Sequence, residues 1–489
     1  VTDARVVDQL RRTLPDDDDH PYRTGAWRPQ STEWRVDDVE VIEGAIPDDL
    51  DGLYARNTEN PLHPPISNYH PFDGDGMVHA IRFRGGNASY RNRFVRTEGL
   101  LAEQEAGESL WAGLAENPRS ATRTDGLTAR GAMKDASSTD LVVHGGEILT
   151  SFWQCGELYR LDPRTLDTRG TTRWDGWFPP EGVSAHTKVD EATGELFFFN
   201  YGKEAPYLHF GVVDAGGRLA HYAPIPLPGP RLPHDMAITE HFVVLNDLPM
   251  HWDEDLLERG VHAVRMHDKP SRLAVVPRRG GADDVRWFEA DPTYVLHWTN
   301  AYEDGDEVVL EGFHQGDPSP RPAVDDALWM FRYLALDWMQ TRLHRWRLNL
   351  RTGACTEEHV RDEFTEFGMI NARHTGRRHR YVYAATGVPG WFLFDGLVRH
   401  DVESGQDQHL RLPDGVYGSE PGIAPKAHAT AEDDAYVVTF TTDVGNDRSE
   451  CLVLDARNIA DGPIARLRLP ERISSGTHSA WAPGSALPG

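Results

Sequence analysis

Four of the chain's 23 histidines stand at the edge of a strand-like run, each beside small or polar residues. His186 lies in VSAHTKVDEATGELFFF, His234 in RLPHDMAITEHFVVLND, His297 in YVLHWTNAYEDGDEVVL and His478 in SSGTHSAWAP. Others, among them His20, His63, His251, His374 and His379, sit in polar, turn-like surroundings that predict exposure. Imidazole suits divalent first-row metals, so a set of histidines brought together by the fold would be a metal centre. Thiolates do not compete for that role. Cys155, Cys355 and Cys451 are far apart and form no CxxC pair, which excludes both a disulfide framework and a cysteine zinc site.

The elements that must position these histidines read as strands. Apolar or alternating runs recur from end to end, as in 77–83, 140–153, 195–201, 241–247, 306–313, 380–386, 435–443 and 451–456. Gly, Pro, Asp and Asn punctuate them, the pattern of an all-β fold. VDEATGELFFF and ATAEDDAYVVTF look like hairpins with acidic or glycine-bearing turns. Helical signal is confined to DARVVDQLRRTL near the start and to DDALWMFRYLALDWMQ at 325–340. No linker divides the chain, and a β-propeller fits, because its strand ends can aim side chains into a central channel. Residues 1–35 read as an N-terminal extension, and 36–489 as one propeller domain without a recognisable blade repeat.

Composition narrows the partners. The formal net charge of −27 disfavours nucleic acid, whose phosphates need a positive surface. No apolar run is long enough to span a bilayer, and the polar, acidic first residues lack a signal-peptide pattern. The corresponding expectation is a cytoplasmic protein.

FDGDGMVHAIRF, AHTKVDEATGELF, PHDMAITEHFVVLN, HWTNAYEDGDEVVLEG, ATAEDDAYVVTF and HSAWAP together resemble, in order, the hallmark segments of the carotenoid cleavage oxygenases. The resemblance runs from about residue 36 to the end. It implies an all-β, seven-bladed propeller, with a few short helices and loops capping an axial metal site. It also implies one ferrous iron on His186, His234, His297 and His478. Four neutral imidazoles leave up to two positions open for dioxygen, the co-substrate, beside a hydrophobic alkene. The products would be two carbonyl compounds.

The family backs its ligands with three glutamates. The resemblance places two of them at Glu366 and Glu420, and the third at Gln154, whose carbonyl oxygen can accept an imidazole N–H without bringing charge. Glu157 is the alternative at that third position. Members that cleave phenolic alkenes pair a lysine with a tyrosine at the substrate hydroxyl. Here Trp153 stands at the lysine position and Ala115 at the tyrosine position. That loss of polar contacts favours a carotenoid or apocarotenoid over a stilbenoid or phenylpropene, since an unpartnered buried hydroxyl costs about 1–3 kcal/mol. Lys134, in GAMKDASSTD, is either a replacement phenol binder or an exposed loop lysine. The 325–340 segment offers a hydrophobic lip for weak contact with a membrane surface.

Overall fold

The computed structural model describes residues 3–123, 125, 133–253, 255–256, 264–321 and 332–488. The fold is mostly β, with few and short helices among the described residues. Two compact units are distinguishable, one comprising 1–172, 395–397 and 408–489, the other 173–394 and 398–407.

In the first unit the chain's end returns to its beginning. Ser479–Pro483 pairs antiparallel with Gly52–Arg56, which pairs with Asp75–Arg84 and, through it, with Asn87–Phe94. Likewise Val41–Gly44 closes onto Pro463–Arg468, the edge of the sheet built on Ala435–Asp443 and Arg448–Asp455. A four-stranded meander, Asp140–His144 through Thr168–Thr171, completes this unit's larger sheets. Inward-facing residues of the two closing sheets, Tyr54, Ile81, Phe83, Tyr90, Val438, Phe440 and Val453, form one buried cluster.

The second unit opens with the meander Lys188–Asp190, Glu195–Tyr201, Leu208–Val213 and Leu219–Pro224. It continues with Ala237–Ile238, Phe242–Asp247, Ser271–Pro277 and Arg286–Ala290. Val295–Asp304, Glu307–Gln315, Thr341–Asn349 and Cys355–Met369 follow as consecutive antiparallel neighbours. The last of these is 15 residues long and serves two partners. Up to Phe364 it pairs with Thr341–Asn349, and from Thr365 onward with Tyr381–Gly387.

The predicted strands stand close to their expected limits; 195–201 and 435–443 coincide with the observed elements. The N-terminal helix does not form. Arg5–Gln9 is an exposed strand paired with Thr32–Val36, because adjacent Val6 and Val7 are stiff at χ1 and favour extended pairing over a lone helical turn. The helix Glu98–Ala106 starts on the Thr97 side chain and ends at Gly107, whose φ of 75° a side chain would resist. Within the 325–340 segment Leu336–Met339 forms a short helix; 322–331 lie outside the described residues, so the expected lip is described only from Arg332 onward. Among the described residues no helix is long and apolar enough to cross a membrane.

Two histidines expected at the surface are buried, His63 and His379. His379 Nε2 lies 3.0 Å from the carboxylate of Glu311, which also takes Arg345 Nε at 2.7 Å. Burial alone would raise the Glu311 carboxyl, but His379 and Arg345 outweigh it and hold the group at about 2. A folded-state value below the ordinary 4.5 stabilises above that ordinary value and loses its effect as pH falls towards 2. The shift corresponds to about 3 kcal/mol. Thermal melts of wild type and Glu311→Gln should therefore differ most above pH 5 and converge towards pH 2.

Candidate metal centre

Three of the four singled-out histidines meet in the second unit. The rings of His186, His234 and His297 have centroids 4.7, 4.9 and 5.4 Å apart, and their ligand nitrogens all lie within 4.8 Å of one another. His186 Nε2 and His234 Nε2 approach to 3.0 Å. Two nitrogens bound at right angles to one ion at about 2.1 Å would stand about 3 Å apart, so the donor set fits a single metal ion.

Local backbone irregularity aims these rings. His186 precedes Lys188–Asp190 and takes a left-handed φ of 63°, an uncommon conformation for a residue with a side chain. His297 lies inside Val295–Asp304 where the register with Glu307–Gln315 breaks between Val295 and Trp298; such a bulge redirects a side chain. Gly312 opposite makes room, since a Cβ there would meet the Trp298 ring at 2.6 Å and the His297 carbonyl at 2.9 Å. Glu366 also sits at a register break, next to Phe367, whose φ is 55° and whose ring lies 4.9 Å from that of His297.

The carboxylate behind His297 is in place. Glu366 Oε2 is 2.7 Å from His297 Nδ1 and accepts the Phe367 N–H as well. An Nδ1–H donated to a carboxylate fixes the tautomer and leaves Nε2 as the metal-facing donor. Replacing Glu366 with Gln keeps an acceptor but removes its charge, and metal affinity should fall by about 10–100-fold in chelator competition.

His478 and Glu420 repeat this arrangement in the first unit. His478 Nδ1 lies 3.1 Å from Glu420 Oε1, directly ahead of Ser479–Pro483, and Glu420 is held by the Ser479 side chain and by Tyr54 through its backbone carbonyl. Burial would lower the imidazole, but Glu420 lifts it to about 9 in the metal-free protein. Gln154 is half-buried on the turn after Glu147–Ser151, and its Nε2 makes no hydrogen bond among the described residues. The nearby Glu157 donates its backbone N–H to Asp135.

The sequence reading missed the clamp that holds the three histidine segments together. Asp235, which follows His234, is 2 % exposed and bonds Lys188 Nζ at 2.8 Å, two residues after His186. It also accepts the N–H of Trp298, next to His297, at 2.8 Å. One carboxylate thus ties the backbone around all three ligand candidates. The only hint in the sequence was an acidic residue where an apolar strand should begin.

The substrate-pocket candidates separate. Trp153 is buried, and Ala115 is half-buried in a turn. Lys134 is no exposed loop lysine. It lies in a cavity with Tyr69, Trp111, Met133 and Phe152, its ammonium 2.9 Å from Asp75 and 2.6 Å from Glu103. Two buried carboxylates recover the desolvation cost that would otherwise push a lysine to the surface.

The mostly β fold thus carries a carboxylate-backed histidine cluster that can hold a metal ion. The chain belongs to the family described as RPE65: Retinal pigment epithelial membrane protein, the carotenoid cleavage oxygenase family of alkene-cleaving enzymes, whose model matches residues 27–483. It is 31% identical to lignostilbene-alpha,beta-dioxygenase isozyme III of Sphingomonas paucimobilis, over 95% of this chain and 97% of that one. With the carotenoid 9,10(9',10')-cleavage dioxygenase of Crocus sativus it shares 30%, over 90% and 84%. The crystal structure of Pseudomonas brassicacearum lignostilbene dioxygenase superposes with a TM-score of 0.84 at 27% identity, covering 96% of this chain and all of that one.

Proposed function

We propose that this protein is a ferrous-iron dioxygenase that splits a conjugated C=C bond of an apocarotenoid or carotenoid into two aldehydes. The observation that carries this reading is the convergence of three imidazoles, two of them buried and the third, that of His297, seated on the Glu366 carboxylate. His478, seated on Glu420 in the same way, is the fourth ligand. Gln154 orients a third imidazole without charge, which makes that histidine a weaker donor than its glutamate-backed neighbours. With the two-stranded pair Met250–Trp252 and Val264–Met266 set aside and the two halves of Cys355–Met369 counted separately, the sheets number seven, which supports a seven-bladed propeller.

Bound ferrous iron supplies activation of dioxygen towards an electron-rich double bond. The protein's part is to orient the imidazoles, keep the site dry, and place the alkene. No side-chain acid or base is required, because no proton has to move to or from the substrate. Trp153 offers indole rather than ammonium, Ala115 has no hydroxyl, and the charge of Lys134 is already outbalanced by Asp75 and Glu103. None of the three provides a free partner for a phenolate, which favours the polyene.

A stilbenoid or phenylpropene is the second reading. It draws support from the place of Lys134 in a cavity and from the likeness to the two lignostilbene dioxygenases. Iron-loaded protein should be given an apocarotenal, resveratrol and isoeugenol under air and under argon, with products identified by mass spectrometry. An air-dependent, shortened apocarotenoid is expected. Aromatic aldehydes from the phenolic substrates alone would overturn the polyene reading in favour of the second.

A further inference from the structure

A second group of histidines lies on one sheet of the second unit and shares no residue with the centre above. His314, His344 and His359 come from the neighbouring strands Glu307–Gln315, Thr341–Asn349 and Cys355–Met369. His344 and His359 are direct cross-strand partners, so their side chains share a face. On the other side His344 faces Gly312, which has no side chain; His314, two residues on and on the same face, leans into that space. Its ring stacks on His344 with centroids 4.8 Å apart and an interplanar angle of 28°, and meets His359 edge-on at 5.1 Å.

Two of the nitrogens are already paired. His344 Nδ1 and His359 Nδ1 face each other at 2.9 Å. On its other side His344 Nε2 is 3.2 Å from Glu357 Oε2, and the second oxygen of Glu357 is fixed by the Asp291 N–H. An Nε2–H donated to Glu357 leaves a lone pair on Nδ1, pointing at His359. A carboxylate on the far nitrogen is the usual support of a metal-bound histidine. His314 Nδ1 is buried and makes no hydrogen bond among the described residues. An unsatisfied buried nitrogen is costly and calls for a partner. His344 is buried while His359 is exposed, so the cluster has a floor and an open side.

We propose that His314, His344 and His359 form a second, solvent-reachable site for a divalent transition metal, with Glu357 orienting His344. Three imidazoles with a free fourth position suit Zn2+, whereas a hard cation such as Mg2+ or Ca2+ would find only the Glu357 carboxylate, already engaged by His344 and the Asp291 N–H. Coordination requires the His314 ring, here stacked on His344, to turn so that a nitrogen reaches the pair. The bound ion would pin three adjacent strands and raise the stability of the folded protein by mass action.

The probe is Zn2+ alone, added to iron-loaded protein and measured by equilibrium dialysis with metal analysis, with Tm recorded in parallel. Wild type should retain one zinc per chain beyond its iron and melt higher with zinc present. His359→Ala, at an exposed position, should lose both effects while keeping its iron and its activity. Glu357→Gln should bind zinc about 10–100-fold more weakly. Zinc uptake and Tm shift unchanged in His359→Ala, or no zinc beyond the iron equivalent in wild type, would overturn the proposal. Because His297→Ala removes a ligand of the other centre only, zinc retained in that variant assigns the ion to this cluster, and zinc lost there counts against it.

Discussion

His297→Ala is expected to yield a folded protein without its metal. The side chain is 12 % exposed and lies at a strand irregularity, with its ring beside those of His186, His234 and Phe367 and its Nδ1 on Glu366. Removing it takes away one of three converging nitrogens together with the ring that Glu366 orients. A centre reduced in this way should show iron at background level after anaerobic purification and no detectable alkene cleavage. Its circular dichroism should match wild type, since no sheet hydrogen bond passes through the imidazole. Iron at the wild-type level in His297→Ala would remove this residue from the site.

Asp235→Ala should be the most damaging single substitution outside the ligands. It leaves Lys188 without its carboxylate and the Trp298 N–H without its acceptor, both at the segments that carry His186 and His297. Breaking a buried ion pair from one side costs about 3–5 kcal/mol. Asp235→Asn keeps an acceptor but forfeits the charge, and should fall between wild type and Ala. Because the clamp spans all three histidine segments, stability and metal affinity should fall together. Tm and chelator competition on the same preparations would show this. A variant that loses stability yet binds metal with wild-type affinity would confine Asp235 to folding.

The contrast between these residues explains what could be read from the sequence. Strands such as Glu195–Tyr201 and Ala435–Asp443 announce themselves through local alternation and turn residues, and the histidines through chemistry beside such runs. Arg5–Gln9 read as helix because its strand partner, Thr32–Val36, lies too far along the chain for any local window. The burial of Lys134, His63 and His379 was hidden for the same reason. Each is buried against partners distant in sequence: Asp75 and Glu103 for Lys134, Thr13 and Gln104 for His63, and Glu311 for His379. Asp235 stands at the head of an apolar run, although its bonds reach Lys188 and Trp298. Polarity at a strand head is ordinary, so only its tertiary partners distinguish a clamp from a surface turn. Bulges at His297 and Glu366 leave no sequence signature beyond Gly312, whose role depends on the strand opposite.

Dioxygen uptake, followed with an oxygen electrode while iron-loaded protein turns over an apocarotenal and products are counted by mass spectrometry, tests the central claim most directly. The predicted result is one dioxygen consumed for each double bond cleaved, with no turnover under argon or in the metal-free protein. Conversion of the substrate without oxygen uptake would mean isomerisation in place of cleavage and would contradict it.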